Sequence, residues 1–120
     1  MSKEFDHLKK RTQLFAVNII RLMRFLPKSE EGGIIKNQII RSSTSVGANY
    51  RSACRARSKA DFISKITIVE EEADETLYWL EMIELTGLMK ADKLKELKQE
   101  SEELTAIFTA SGNTAKQNRK

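Results

Sequence analysis

Inward-facing positions recur at intervals of four and three along most of the chain. In the first segment they fall at Leu8, Thr12, Phe15, Ile19, Leu22 and Leu26, one face of a helix that Pro27 stops. The second repeats the spacing at Ile35, Ile39, Ser42, Val46, Asn49 and Ala53. The third does so at Phe62, Ile66, Val69, Ala73, Leu77, Leu80 and Ile83, and the fourth at Leu94, Leu97, Ser101, Leu104, Phe108 and Ser111. No strand-like alternation competes with these stripes. Breakers fall between them: one Pro and five Gly, at 32, 33, 47, 87 and 112.

The boundaries have local causes. Ser29 can accept a backbone N–H as N-cap of the second helix, and Glu30 and Glu31 suit its positive end. Ser58 with Asp61 three residues on has the form of a capping box and opens a third helix over about 58–86. Gly87 followed by Leu88 reads as a left-handed C-cap with its hydrophobic follower. Short links between long amphipathic helices predict an all-α fold, an antiparallel up-down-up-down four-helix bundle over residues 1–111 with shallow crossings near about +20°. Residues 112–120 are small and polar and are expected to form a flexible tail.

Two helices depart from a uniform bundle. The second is rich in small residues, with Ser43, Thr44, Ser45, Gly47 and Ala48 beside its stripe. Mid-helix Gly47 costs up to about 1 kcal/mol relative to Ala, so tight packing against a neighbour is expected there. The third has apolar excess: Ile68 and Trp79 fall roughly 100–120° to one side of its stripe, with Met82 further round. One core does not easily cover both faces, and exposed apolar patches mark association surfaces. Ile68, Trp79 and Met82 are therefore the expected interface of a homo-oligomer.

Charge changes the picture further. The 120 residues carry a net charge of +4, unevenly spread. Residues 1–60 hold 13 Lys/Arg against 4 Asp/Glu, and residues 61–120 hold 8 against 13. No acid lies between Glu31 and Asp61, where Lys36, Arg41, Arg51, Arg55, Arg57 and Lys59 stand. Such asymmetry serves an anionic partner or mutual neutralisation across the fold. Lys36, Arg51 and Arg55 lie opposite the second helix's stripe and Arg41 at its flank. Arg11, Arg21, Arg24 and Lys28 add charge from the first helix. Several arginines per subunit suit salt-sensitive phosphate contacts. The candidate nucleic-acid-binding residues are Arg41, Arg51, Arg55 and Arg57, with Lys36 and Arg24 in support. There is no zinc finger, recognition-helix motif or aromatic array for base stacking. Tyr50 is expected to pack at an interface.

Other chemistry finds little footing. The single Cys excludes an internal disulfide framework and a multi-Cys zinc site, and the single His, His7, leaves most Ser/His or Cys/His catalysis without a base. Glu71, Glu72 and Glu75 lack the Glu-x-x-His repeats of a bundle di-metal site, so no metal or cofactor is expected. Glu70 is the expected partner of Arg41 in a partly buried pair that fixes register. Cys54 reads as a small packed residue and Ser58 as a cap. Gly32-Gly33 lacks the Gly-Lys-Ser/Thr of a phosphate loop. An enzyme is the least supported class. No apolar run approaches the ~20 residues of a membrane span, and the Met1–His7 segment lacks a secretory plan, so a cytoplasmic protein is expected.

The stretch from Asn37 to Arg51 (NQIIRSSTSVGANYR), then Arg57 to Phe62 (RSKADF), then Glu70 to Leu80, resembles the 23S rRNA intervening-sequence family of four-helix-bundle proteins. Phe25-Leu-Pro-Lys-Ser29 before it and Gly87-Leu88 after it extend the likeness over most of residues 5–90, with Arg41, Ser45 and Asn49 in the usual places. Many relatives follow that Asn with an Ile-Ala-Glu-Gly-like turn. Here Tyr50-Arg-Ser-Ala-Cys54 stands instead, which marks a separate branch. A related accessory protein of diversity-generating retroelements forms a basic pentameric barrel that binds nucleic acid and a reverse transcriptase. The resemblance thus implies a pentamer, an RNA or DNA partner and a reverse-transcriptase-like protein partner. The rival expectation is a protein-interaction scaffold without nucleic-acid binding, using the apolar side of the third helix; a toxin–antitoxin or regulatory partner ranks third.

Overall fold

The computed structural model describes residues 3–118. They form four helices, α1 (Lys3–Met23), α2 (Glu30–Ala53), α3 (Lys59–Leu85) and α4 (Ala91–Gln117), in a rod of 50 × 22 × 21 Å. Each helix packs on the next in sequence, and α3 is the most engaged, held between α2 and α4. The direction of α4 follows from its contacts with α3. Lys98 meets Glu84, Thr109 meets Glu70, and Gly112 approaches Ile66, so rising numbers on one helix pair with falling numbers on the other. The fold is the all-α antiparallel four-helix bundle that the periodicity predicts.

The ends are set by the residues expected to set them. Ser29 Oγ accepts from Gly32 N–H at 3.0 Å, and Ser58 Oγ accepts from Asp61 N–H at 3.0 Å. Asp61 closes its side of the cap one residue early, accepting from Arg57 N–H at 3.1 Å. At the far end of α3, Gly87 adopts φ 74°, its N–H donates to Glu84 and the Leu88 N–H reaches back to Ile83. That is the paired bonding of a Schellman cap, and Leu88 packs against the core beside it. The first helix ends earlier than Leu26. From Arg24 to Leu26 the N–H groups bond three residues back, tightening the last turn before Pro27.

The core is built from one stripe per helix, with Phe15, Ile19, Ile39, Val46, Ile66, Leu80, Leu104 and Phe108 essentially removed from water. Small hydroxyls fill the crowded levels and satisfy themselves. Thr12 donates to Leu8 O at 2.8 Å, Ser101 donates to Leu97 O at 2.9 Å, and Ser42 and Thr76 bond across α2 and α3 at 2.8 Å. Gly47 faces Thr12, whose Oγ1 would lie 3.2 Å from an added Cβ, so the small residue lets α1 and α2 meet closely.

Several expected core positions are displaced by one residue. Tyr50, not Asn49, is buried on α2, its ring 5.2 Å from that of Phe108, so it is a core residue of its own chain and not an interface residue. Asn49 instead donates to Ser45 O at 2.9 Å. On α3 Thr76 replaces Leu77 and Ile63 replaces Phe62 as the buried residue, and on α1 Met23 replaces Leu22. Leu97 and Ser111 on α4 are half-buried. The expected tail from 112 to 120 is helical through Gln117, because buried Gly112 seats against Ile66 and carries the α3–α4 contact past residue 111. Residues 119 and 120 lie outside the described residues.

Candidate nucleic-acid interface

The six proposed basic residues do not form one patch. Arg51 stands in the last turn of α2, and Arg55 and Arg57 follow in the turn to α3, all three exposed at one end of the rod. Lys36 is fifteen residues upstream of Arg51, about 22 Å along the helix. Arg24 sits in the turn after α1, towards the Lys36 end.

Arg41, between the two ends, is engaged. Its guanidinium bonds Glu72 at 3.0 Å and Glu75 at 2.5 Å, both on α3. Hydrogen bonds to Glu72 and then Glu75 raise its already high pKa. Burial pushes the Glu75 carboxyl up, but the bonds from Arg41 and from Trp79 Nε1–H outweigh it and hold the group below the usual range. The expected partner Glu70 lies elsewhere. It accepts from Thr109 Oγ1 at 2.6 Å on the α4 side of α3. Arg41 and Glu70 do not pair, because Arg41 reaches α3 from the α2 side and Glu70 faces α4.

The other cations sort into paired and unpaired. Arg11 is clamped by Glu100 at 2.7 Å and Glu103 at 2.9 Å across α1 and α4. Lys65 pairs with Asp61 at 3.0 Å and Lys98 with Glu84 at 2.8 Å. Lys59 Nζ donates to the Asn118 carbonyl. Bonds from Lys65 and from the Arg57 backbone keep the Asp61 carboxyl low, and the Arg57 charge adds to that field. Arg51 and Arg55 have no carboxylate within ion-pair distance among the described residues. Arg51 also borders a shallow apolar groove between α1 and α2, lined by Ala16, Val17, Ile20, Gly47 and Ala48.

The proposed apolar surface on α3 is also split. Ile68 is 40% exposed, whereas Trp79 and Met82 are half-buried. Trp79 packs against the core and stands edge-on to Tyr78, ring centres 5.0 Å apart. The large apolar residues most open to solvent on this helix are Tyr78 and Leu85, at 50% and 80%. Neither lies on the side of the helix that Ile68 and Trp79 mark out in the sequence. A wheel carrying every apolar residue of α3 includes both.

Among the described residues no three His, Cys, Asp or Glu side chains converge to hold a metal ion, and no helix is long and apolar enough to cross a membrane.

A family model for the 23S rRNA-intervening sequence protein matches residues 6–110. The chain is also similar to a crystal structure from Bacteroides thetaiotaomicron, described as a protein of unknown function from the S23 ribosomal protein family. The two are 37% identical, with a TM-score of 0.79, over 85% of this chain and 94% of that one. No curated protein matches.

Proposed function

The chain belongs to the 23S rRNA-intervening sequence protein family, and on that premise we propose that it is a non-catalytic accessory protein that self-associates and binds the phosphates of structured RNA or DNA. One observation carries the reading. In a bundle where Arg11, Arg41, Lys65 and Lys98 are each neutralised by a carboxylate, Arg51 and Arg55 stand exposed at one end with no ion-pair partner among the described residues, and Arg57 is beside them. Unpaired arginines offer bidentate contacts to phosphate without first breaking an internal ion pair. The contact is to backbone charge, so it selects nucleic acid as a class and not a sequence.

Self-association supports this use. Repetition of the Arg51–Arg57 end around a ring, a pentamer by family resemblance, multiplies weak phosphate contacts into useful affinity. Tyr78 and Leu85, on one side of α3, supply the apolar surface for contact between subunits, and Ile68 stands exposed on another side. The same surface favours the second reading, a protein-interaction scaffold that touches no nucleic acid.

Two measurements separate these readings. Fluorescence anisotropy with a labelled RNA hairpin at low salt gives binding if the arginine end works as described, and no binding leaves the scaffold reading. Light scattering gives a mass several times that of one chain if the protein self-associates. A stable monomer contradicts the oligomer.

A further inference from the structure

The seam between α1 and α4 is the least closed in the bundle. It leaves a cleft of about 560 Å³, floored by Phe15, Leu22 and Leu97 and bounded on one side by Arg11, held on Glu100. Phe25, one of the cleft residues, belongs to the turn after α1 and is 78% exposed. A ring this open gives the core little, so packing does not account for it. Arg21 stands one helical turn before it, Arg24 is its neighbour in the chain, and Lys93 faces it across the cleft from α4. These three cations make no ion pair among the described residues. Of the acids lining the cleft, Glu100 is consumed by Arg11, which leaves exposed Glu96 as the one uncommitted carboxylate against the two free lining cations Arg21 and Lys93, with Arg24 just outside in the turn.

An accessible aromatic face ringed by unpaired cations is what single-stranded nucleic acid uses, one group for a base and the others for the flanking phosphates. Along its length a duplex has no free base face to offer. Resting on the nucleic-acid reading above, we propose that the α1–α4 cleft takes an unpaired base of single-stranded RNA or DNA, stacked on Phe25, with the adjoining phosphates on Arg21, Arg24 and Lys93. The site lies at the opposite end of the rod from Arg51 and Arg55. A folded RNA with a loop and a stem therefore has two different places to bind.

The test titrates the intact protein with a single-stranded RNA, a DNA of the same sequence and a blunt duplex. Phe25→Ala removes an exposed ring and leaves the thermal midpoint unchanged. It weakens single-strand binding by about fivefold or more, the usual effect of losing one stacked base, and leaves duplex affinity as it was. Phe25→Tyr retains binding. A loss on RNA, on DNA or on both supports the site and identifies the strand it takes. If Phe25→Ala binds single strands like the parent while Arg51→Gln/Arg55→Gln weakens them, the stacking site is wrong and the phosphate reading survives. If the parent binds none of the three, both are wrong.

Discussion

Arg41 of α2 reaches across to Glu75 of α3 at 2.5 Å, and Glu72, three residues earlier, takes a second bond at 3.0 Å. The guanidinium is half-exposed, so solvent screens the pair and its worth is about 0.5–1 kcal/mol. A double-mutant cycle in urea is expected to give that coupling between Arg41→Ala and Glu75→Ala. The cycle with Glu70→Ala is expected to be additive, because Glu70 is bound to Thr109 on the other flank.

The same ion pair makes stability depend on acid. Glu75 has a folded pKa below its unfolded value, so its contribution is complete above the ordinary carboxylate range and is lost as pH falls through the lowered value. Thermal melts taken from neutral pH downwards are expected to show a smaller acid-induced loss in Arg41→Ala than in the parent. Identical acid profiles would contradict the pairing.

Two helical glycines of α2 respond in opposite directions. At Gly33 an added Cβ meets nothing within 4 Å, so Gly33→Ala is expected to stabilise by about 0.5–1 kcal/mol through helix propensity. At Gly47 the Cβ lies 3.2 Å from Thr12 Oγ1, which is held on Leu8 O and Lys9 O and has little room to yield. Gly47→Val forces α1 and α2 apart and is expected to cost about 1–3 kcal/mol in chemical denaturation.

Tyr50 carries a buried hydroxyl that finds no hydrogen-bond partner among the described residues. Burial first, and then the Cys54 thiol one turn on, push the phenol above its ordinary range. Since the ring is what packs against Phe108, Tyr50→Phe is expected to raise stability by about 1 kcal/mol. A decrease of similar size in thermal or urea unfolding would mean the hydroxyl is satisfied.

The sequence exposes some of this architecture and conceals the rest for definable reasons. Ser29, Ser58 and Gly87 are caps because of chemistry confined to a few neighbouring residues, so they can be read locally. The choice between Thr76 and Leu77 cannot. Both fit a helical step from Ala73 to Leu80, and hydropathy favours Leu77. Thr76 donates its hydroxyl to Glu72 O at 2.9 Å and meets Ser42 of α2 at 2.8 Å, a partner thirty-four residues away that local spacing does not reveal. Tyr50 prevails over Asn49 in the same way, through Phe108 on a helix not adjacent in sequence. The acid-free stretch from Lys36 to Arg57 is visible in the chain, but which of its cations remain free depends on where α3 places Glu72 and Glu75.

The salt dependence of RNA binding tests the central claim most directly. Neutralising one phosphate-binding cation lowers the slope of log K against log salt by about one. The parent is expected to lose affinity steeply as salt rises, and Arg51→Gln/Arg55→Gln to bind more weakly with a slope shallower by about two. A parent that does not bind at low salt, or a double variant with an unchanged slope and affinity, would contradict the assignment of phosphate recognition to these two arginines.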